Sequence, residues 1–263
     1  MWHYPQIDPI ALDLGFFQVH WYGLMYLFGF AGAWGLGRYR ARSRDEWNND
    51  KVSDLIFYAA MGVILGGRLG YILFYDLAHY LEQPLDVLML WQGGMSFHGG
   101  LLGVIFAMWL FARHQQMGFL QIADFVAPLV PIGLFFGRIG NFINGELWGK
   151  VTDSQLGMAV YDPQLQAVVV KYPTQLLEAL LEGLVLFVIL LWYGRKPRPA
   201  GSLGGLFLLG YGSFRFIVEF YRMPDEHLGY LAWDWLTMGQ VLSLPMIVIG
   251  ALIILWAHRN KTP

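Results

Sequence analysis

Long apolar stretches with few charges dominate this chain. Of its 263 residues, 56% are hydrophobic and only 14% are charged, whereas a soluble domain carries roughly 25% charged residues. A helix needs about 20 mostly apolar residues to cross a lipid bilayer, and stretches of that kind recur along the sequence. The composition therefore predicts a polytopic membrane protein in which residues 1–263 form a single integral membrane domain.

The apolar stretches predict an all-α fold of about seven transmembrane helices. They lie at 14–37, 55–75, 93–111, 122–137, 176–194, 202–218 and 239–257. Basic residues concentrate between these stretches at 38–51, 195–198 and 259–261. Because cytoplasmic segments are enriched in Lys and Arg, this pattern predicts an N-terminus outside the membrane and a C-terminus in the cytoplasm.

The segment 147–172, between the fourth and fifth stretches, predicts a small periplasmic insertion. Its β-branched part at 167–170 is typical of a strand, and we expect it to pair with 155–160 in a hairpin. Glycines at every fourth position favour close packing of two helices through small residues. They are Gly62, Gly66 and Gly70 in the second stretch and Gly99 and Gly103 in the third.

Composition also excludes several kinds of function. The net charge of −2 gives no basis for binding nucleic acid. The chain has no cysteine, so disulfides, a thiol nucleophile and cysteine-bound metal are excluded. The sequence shows no metal-ligand cluster, no Ser/His/Asp order and no phosphate-cradling glycine loop. We therefore expect neither a cofactor nor a metal ion.

Polar residues within apolar stretches are the strongest candidates for a site. A charged or amide group near hydrocarbon costs several kcal/mol unless it finds a partner, so such residues are usually functional. The densest run, 137–149, follows the apolar segment 125–136. The full set is Arg68, His98, Arg138, Asn141, Asn144, Glu146, Arg215 and Glu219.

The arginines of this set favour a phosphate ligand. Arg215 and Glu219 lie four residues apart on one helix face, with Tyr211 one turn before them. A structural ion pair explains such a pair equally well. Two or three arginines at one membrane depth, with too few carboxylates to neutralise them, favour a bound phosphate. In an outer-leaflet cavity, a phospholipid headgroup would supply it.

Other residues allow two interpretations each. His98 is either a packing histidine or, because glycines flank it, a general base or headgroup contact. Tyr22 is an interfacial aromatic or a headgroup ligand. Glu178 and Glu182, one turn apart, are helix partners or site residues. The basic segment 38–44 is expected to form a solvated cytoplasmic face.

These motifs resemble those of the bacterial prolipoprotein diacylglyceryl transferases. The run 137–149 matches that family's signature in full, Gly-Arg-x-Gly-Asn-Phe-x-Asn-x-Glu-x-x-Gly. The chain departs from the family pattern at Tyr172 and Thr174, where many relatives have histidine and serine. The similarity continues through 20–26, 66–71, 93–100 and 211–222.

The resemblance implies an activity and its partners. Members of this family transfer the diacylglyceryl group of phosphatidylglycerol to the lipobox cysteine thiol of a prolipoprotein, which forms a thioether and releases glycerol phosphate. The implied partners are phosphatidylglycerol, the prolipoprotein signal peptide with its lipobox cysteine, and the surrounding membrane lipids. The implied location is the bacterial inner membrane, with the active site toward the outer leaflet.

The resemblance also implies roles for individual residues. The expected catalytic residues are Arg138, Arg215, His98, Glu146 and Asn141. The expected substrate-binding residues are Tyr22, Arg68, Asn144, Tyr211, Glu219 and Arg222.

Three other classes of function compete with this interpretation. A transporter or channel for an anion would line its path with the arginines, but such proteins often contain an internal repeat and none is visible in this sequence. A lipid-binding scaffold would use the same residues without forming a covalent product. A membrane protease ranks last because the chain lacks a convincing nucleophile–base pair.

Overall fold

The computed structural model describes residues 2–15, 18–90, 93–163, 165–224 and 229–260. It divides into two compact units, the first formed by Met1–Ala33 with Asp124–Pro263 and the second by Trp34–Ala123. Within the described ranges, the strands are β1 (Trp2–His3), β2 (Ile10–Asp13), β3 (Gln18–His20), β4 (Met158–Asp162) and β5 (Ala167–Lys171). The helices are α1 (Trp21–Ala41), α2 (Asn49–Tyr75), α3 (Leu77–Glu82), α4 (Phe97–His114), α5 (Phe119–Val126), α6 (Val130–Ile143), α7 (Thr174–Glu178), α8 (Leu186–Tyr193), α9 (Ser202–Val218) and α10 (Met238–Asn260).

Several helices have the length and composition of membrane spans. Within the described ranges, α2, the continuous helix Thr174–Tyr193 and α10 qualify, and α5 with α6 adds a fourth if the pair is one span bent by 46°. Only 17% of the most apolar window of α10 is buried, which suits a lipid surrounding and not water. The fold is therefore mostly helical and typical of a polytopic membrane protein, while the number of seven spans stays a prediction.

Two of the predicted spans differ from the observed helices. Residues 14, 15 and 18–20 are not helical, because β2 pairs antiparallel with β3 and α1 begins only at Trp21. The Asp13 carboxylate accepts hydrogen bonds from Gly15 N and Gln18 Nε2, and Gly15 adopts φ +80°, which favours a turn. The fourth predicted span is interrupted between α5 and α6, where Pro131 lies in the first turn of α6.

The insertion at 147–172 contains the predicted hairpin. β4 pairs antiparallel with β5, from Met158 opposite Lys171 to Asp162 opposite Ala167. The first strand is therefore shifted by about three residues from the predicted 155–160. β1 extends this sheet in parallel beside β4. The all-α prediction thus holds for the helical body but omits two small sheets.

The second unit is built on close contact between α2 and α4. A Cβ on Gly66 would overlap the Gly99 carbonyl oxygen, and a Cβ on Gly70 would lie 2.7 Å from Gly99 Cα. These glycines therefore let the two backbones touch, as predicted from their spacing. In the basic segment 38–44 the prediction of a solvated face is wrong for Arg40, which is 8% exposed because its helix face turns inward.

The helix Thr174–Tyr193 of the first unit contains a π-helical stretch, Ala179–Val185, between α7 and α8. A Cβ on Gly183 would lie 2.7 Å from Phe135 Cβ, so the absence of a side chain lets this stretch pack directly on α6. Such wide turns re-aim neighbouring side chains and are frequent at functional sites. Glu178 immediately precedes this stretch and Glu182 lies within it.

The glycine contact predicts that Gly66→Ala destabilises the protein. The added methyl group meets backbone atoms, which cannot rotate away, and overpacking of this kind costs about 1–3 kcal/mol. Gly35→Ala is the matched control, because a Cβ at this helical glycine meets nothing within 4 Å. Thermal unfolding in detergent should show a lower Tm for Gly66→Ala only. Equal Tm values would contradict tight backbone packing at this position.

Candidate functional site

Three arginines converge on the Glu178 carboxylate in the first unit. Arg138 Nε lies 2.6 Å from Glu178 Oε2, while Arg215 Nη1 and Arg222 Nη1 lie 2.8 Å and 2.7 Å from Oε1. Glu178 is 0% exposed. Because α6, α7, α9 and the segment after α9 each contribute one of these groups, the carboxylate joins separate parts of the unit at one point.

Glu219 forms a second bridge between two of these arginines. Its Oε2 lies 2.9 Å from Arg215 Nη2 and 3.4 Å from Arg222 Nε. The pair of Arg215 and Glu219 predicted from their spacing is therefore present. A Cβ on Gly239 would lie 2.6 Å from the Glu219 carboxyl carbon, so the first turn of α10 packs directly on this carboxylate. The positive end of the α10 dipole favours the charge held there.

Within the signature run 137–149, Asn141 contacts the Arg138 guanidinium at a nitrogen that does not pair with Glu178. Arg138 Nη1 donates to Asn141 Oδ1 at 3.3 Å, and Asn141 Nδ2 donates to Glu146 Oε1 at 2.8 Å. Asn144 Nδ2 donates to the same Glu146 oxygen at 3.3 Å. The chain of contacts fixes the arginine between a carboxylate on α7 and an amide on its own helix.

Backbone contacts tie the end of the signature run to the start of α7. Gln175 Nε2 donates to the Glu146 carbonyl oxygen, and Thr174 Oγ1 donates to the Leu147 carbonyl oxygen at 2.9 Å. Gly149 N donates to the Tyr172 carbonyl oxygen at 2.8 Å. Gly149 has no room for a side chain, since a Cβ would lie 2.6 Å from Thr174 Cγ2. The run therefore has a fixed position relative to Glu178.

Tyr4 anchors the same run from the N-terminal segment. Its hydroxyl lies 2.8 Å from the Ile143 carbonyl oxygen and 3.0 Å from that of Phe142. These are last-turn carbonyls of α6, which lack partners within the helix. Burial raises the pKa of Tyr4, which keeps the hydroxyl protonated as a donor.

The arginines keep part of their donor capacity for a ligand. Their side chains are between 13% and 21% exposed, and within the described ranges Nη2 of Arg138 and Nη2 of Arg222 donate to no protein acceptor. A guanidinium group has five N–H donors and no acceptor. The cluster therefore suits an anion such as phosphate.

Two tyrosines of the first unit lie on the helices that carry this cluster or touch them. The Tyr22 ring packs on α6, where a Cβ on Gly140 would lie 2.9 Å from Tyr22 Cδ2, and the Tyr22 hydroxyl lies 3.3 Å from that of Tyr26. Tyr211 stands one turn before Arg215 on α9 and stacks on Phe207 with ring centroids 5.8 Å apart. Their role toward a lipid headgroup stays a prediction.

The second unit holds the two remaining predicted residues. Arg68 is 4% exposed, and its guanidinium donates to backbone carbonyls, with Nε 3.0 Å from Val87 O and Nη1 2.6 Å from Gly93 O. It therefore holds the loop between α3 and α4, and its predicted headgroup contact stays a prediction. His98 is exposed in the first turn of α4, where Ser96 Oγ accepts from Gly99 N at 3.2 Å.

The structure thus brings most of the predicted residues of the first unit into one network. Sequence reasoning underrated Glu178, which is the centre of the network and not a simple helix partner. The available signal was a carboxylate within an otherwise apolar span, which is rare without a function. The sequence did not indicate that Gln175 would hold the signature run, because an amide side chain near the end of a span is common. The predicted residues that join Glu178 in this network are Arg138, Asn141, Asn144, Glu146, Arg215, Glu219 and Arg222.

Long apolar helices around a buried arginine–glutamate network are typical of an integral membrane protein, and the network is its candidate site for an anionic group. The family model described as prolipoprotein diacylglyceryl transferase matches residues 9–256. The chain therefore belongs to the prolipoprotein diacylglyceryl transferase family, as its motifs predicted.

Curated relatives agree with this assignment over almost the whole chain. A phosphatidylglycerol–prolipoprotein diacylglyceryl transferase from Hydrogenovibrio crunogenus is 67% identical over 99% of this chain and 98% of its own length. A relative of the same name from Azotobacter vinelandii is 58% identical over 98% of this chain and 97% of its own length. Another from Coxiella burnetii, again with that name, is 54% identical over 99% of both chains.

The geometry of the network predicts that Glu178→Gln destabilises the protein. The neutral amide leaves the three arginines without their common anion, and removing one partner of a buried ion pair costs about 3–5 kcal/mol. Thermal unfolding in detergent should show a clear fall in Tm. Glu46→Gln removes the same charge at an exposed position and should leave Tm unchanged. If both variants unfold at the wild-type temperature, Glu178 does not hold the network together.

Proposed function

We propose that this chain transfers the diacylglyceryl group of phosphatidylglycerol to the lipobox cysteine thiol of a prolipoprotein. The thiol sulfur bonds to a glyceryl carbon, the bond from that carbon to the phosphate oxygen breaks, and glycerol phosphate leaves. This is the first step of bacterial lipoprotein maturation. The observation that carries the proposal is the convergence of Arg138, Arg215 and Arg222 on one buried carboxylate in a chain of this family.

The arginines suit the leaving group of this reaction. Negative charge grows on the phosphate as the carbon–oxygen bond breaks, and fixed cations aimed at that charge lower the barrier without reorganising. Arg138 and Arg215 are held by Glu178 on one side. Asn141 and Glu146 orient Arg138, and Glu219 orients Arg215 and Arg222. The arginines would thus meet the phosphate already in position.

The nucleophile comes from the substrate, so this chain needs no cysteine of its own. A thiolate is the reactive form, and its formation requires an acceptor for the thiol proton. His98 is the candidate acceptor, because an imidazole nitrogen can act as a general base and its side chain is exposed. Tyr22, Tyr211 and Asn144 would line the headgroup pocket, and Arg68 keeps its predicted role as a substrate-binding residue.

The membrane arrangement belongs to the same proposal. The chain would cross the bacterial inner membrane about seven times, with its N-terminus outside and its C-terminus in the cytoplasm, as the basic residues favour. The hairpin of β4 and β5 would then lie in the periplasm, beside an active site in the outer leaflet. Both substrates carry apolar segments, so each would enter sideways between helices and not through an aqueous pore.

A direct assay tests the activity. Purified protein is incubated with phosphatidylglycerol and a peptide that carries a lipobox cysteine, and the peptide mass is then measured. The expected product carries one added diacylglyceryl group, and a peptide with serine in place of the cysteine should stay unmodified. Binding of the lipid without any mass gain would reject the transferase and favour a scaffold or transporter.

Arg215 bridges two carboxylates, with Nη1 on Glu178 and Nη2 on Glu219, and this geometry predicts that Arg215→Lys loses transfer. Lysine keeps the charge but offers a single ammonium that cannot bridge Glu178, Glu219 and a phosphate at once. We expect a fall in kcat/KM of about 100-fold or more, the scale for losing a donor that stabilises transition-state charge. Arg42→Lys, at an exposed position, should have wild-type activity. Full activity of Arg215→Lys would show that positive charge alone suffices.

A further inference from the structure

The Glu182 carboxylate is buried without a hydrogen-bond donor. It is 0% exposed, and within the described ranges neither of its oxygens accepts a hydrogen bond. It lies in the π-helical stretch, one turn after Glu178. An ionised carboxylate in such a place costs several kcal/mol, and the group takes up a proton instead.

The neighbours of Glu182 do not supply the missing donor. Arg138 Nε and Arg215 Nη1 are engaged by Glu178, and Arg215 Nη2 is engaged by Glu219. Glu178 also repels a second negative charge on the same helix. Within the described ranges, the charged and titratable groups that act on Glu182 are Glu178 on its own helix, Arg138 on α6, Tyr211 and Arg215 on α9, and Arg222 after α9.

The charge of the network depends on this proton. Among the groups joined by ion pairs, the arginines at 138, 215 and 222 exceed the carboxylates of Glu178 and Glu219 by one positive charge. Glu146 is not counted with them, because it is exposed to solvent, which screens its charge, and it contacts the amides of Asn141 and Asn144. A phosphodiester carries one negative charge and would be matched by that excess. An ionised Glu182 would cancel it and remove the attraction for an anion.

We infer that Glu182 is a neutral carboxylic acid when the arginine network holds an anionic phosphodiester lipid, and that its ionisation weakens that binding. It acts through the charge of the network and touches no part of the lipid. The inference rests on the proposed function only in taking phosphatidylglycerol as the ligand. Raising the pH removes the proton, adds a negative charge and lowers the affinity for the lipid.

Lipid binding measured against pH tests this inference. The full chain in detergent is titrated with phosphatidylglycerol between about pH 6 and about pH 9, with tryptophan fluorescence as readout. For one linked proton, the Kd of the wild type should rise by about tenfold per pH unit above the transition. The Kd of Glu182→Gln, which imitates the neutral acid, should show no such rise. Glu182→Asp keeps an ionisable group and should retain the pH dependence.

Several outcomes would overturn the inference. One is an identical pH profile for the wild type and Glu182→Gln. Another is a Glu182→Gln protein that is folded but binds no lipid where the wild type does, since an ionised Glu182 would then be needed. A spectroscopic measurement reports the protonation state itself. The infrared difference spectrum of lipid-bound wild type minus lipid-bound Glu182→Gln at neutral pH, in which the ester carbonyl bands of the lipid cancel, should contain the carbonyl band of a protonated carboxylic acid, and its absence would contradict the inference.

Because the readout is binding, this test is separate from the test of the activity. Lipid binding that depends on pH through Glu182, without any transfer to a peptide, would support the inference and reject the transferase. Transfer to the peptide with unaltered pH dependence in Glu182→Gln would reject the inference and support the transferase.

Discussion

The ion pairing of Glu178 inside the helical body is the interaction on which the first unit depends. Burying the charge of a carboxylate with 0% exposure in an apolar helix has a large unfavourable desolvation free energy. Ion pairing with three guanidinium groups offsets that free energy. The same pairing draws Arg138, Arg215 and Arg222 away from water to one place. The buried carboxylate requires the arginines as partners, and the arginines require the carboxylate. This pairing fixes the geometry of the cluster.

The ion pairs leave some guanidinium N–H groups available for a further anion. Each guanidinium has five donors in a planar fork, and the carboxylates occupy only some of them. In the proposed mechanism a phosphate binds without breaking the network, and the arginines stabilise the charge that develops when glycerol phosphate departs. The family assignment gives this anion site its proposed chemistry. The proton on Glu182 would then set whether the site carries the charge that an anionic lipid needs.

The sequence contained the parts of this arrangement that follow from local rules. Apolar length predicted where most helices lie, glycine spacing predicted the contact of α2 with α4, and the i, i+4 spacing predicted the pair of Arg215 and Glu219. Motif resemblance predicted the family. The central role of Glu178 was not predictable in the same way, because its partners lie 40, 37 and 44 positions away for Arg138, Arg215 and Arg222.

The hairpin before α1, the break before α6 and the π-helical stretch could not be predicted from hydropathy. The apolar residues before Trp21 suit a strand as well as a helix, and the turn at Gly15 decides for the hairpin. The break before α6 lies at Pro128 and Pro131, and the π-helical stretch at Ala179–Val185 packs directly on α6. A hydropathy profile contains hardly any sign of either feature.

A structure of the protein with bound phosphatidylglycerol would be the most decisive test of the arginine cluster as a phosphate site. The quantity to measure is the distance from the lipid phosphate oxygens to the guanidinium nitrogens of Arg138 and Arg215. We expect hydrogen-bond distances of about 2.7–3.2 Å to both, with Glu178 still joining the two arginines. A phosphate bound elsewhere, while these arginines contact only Glu178 and Glu219, would contradict this role.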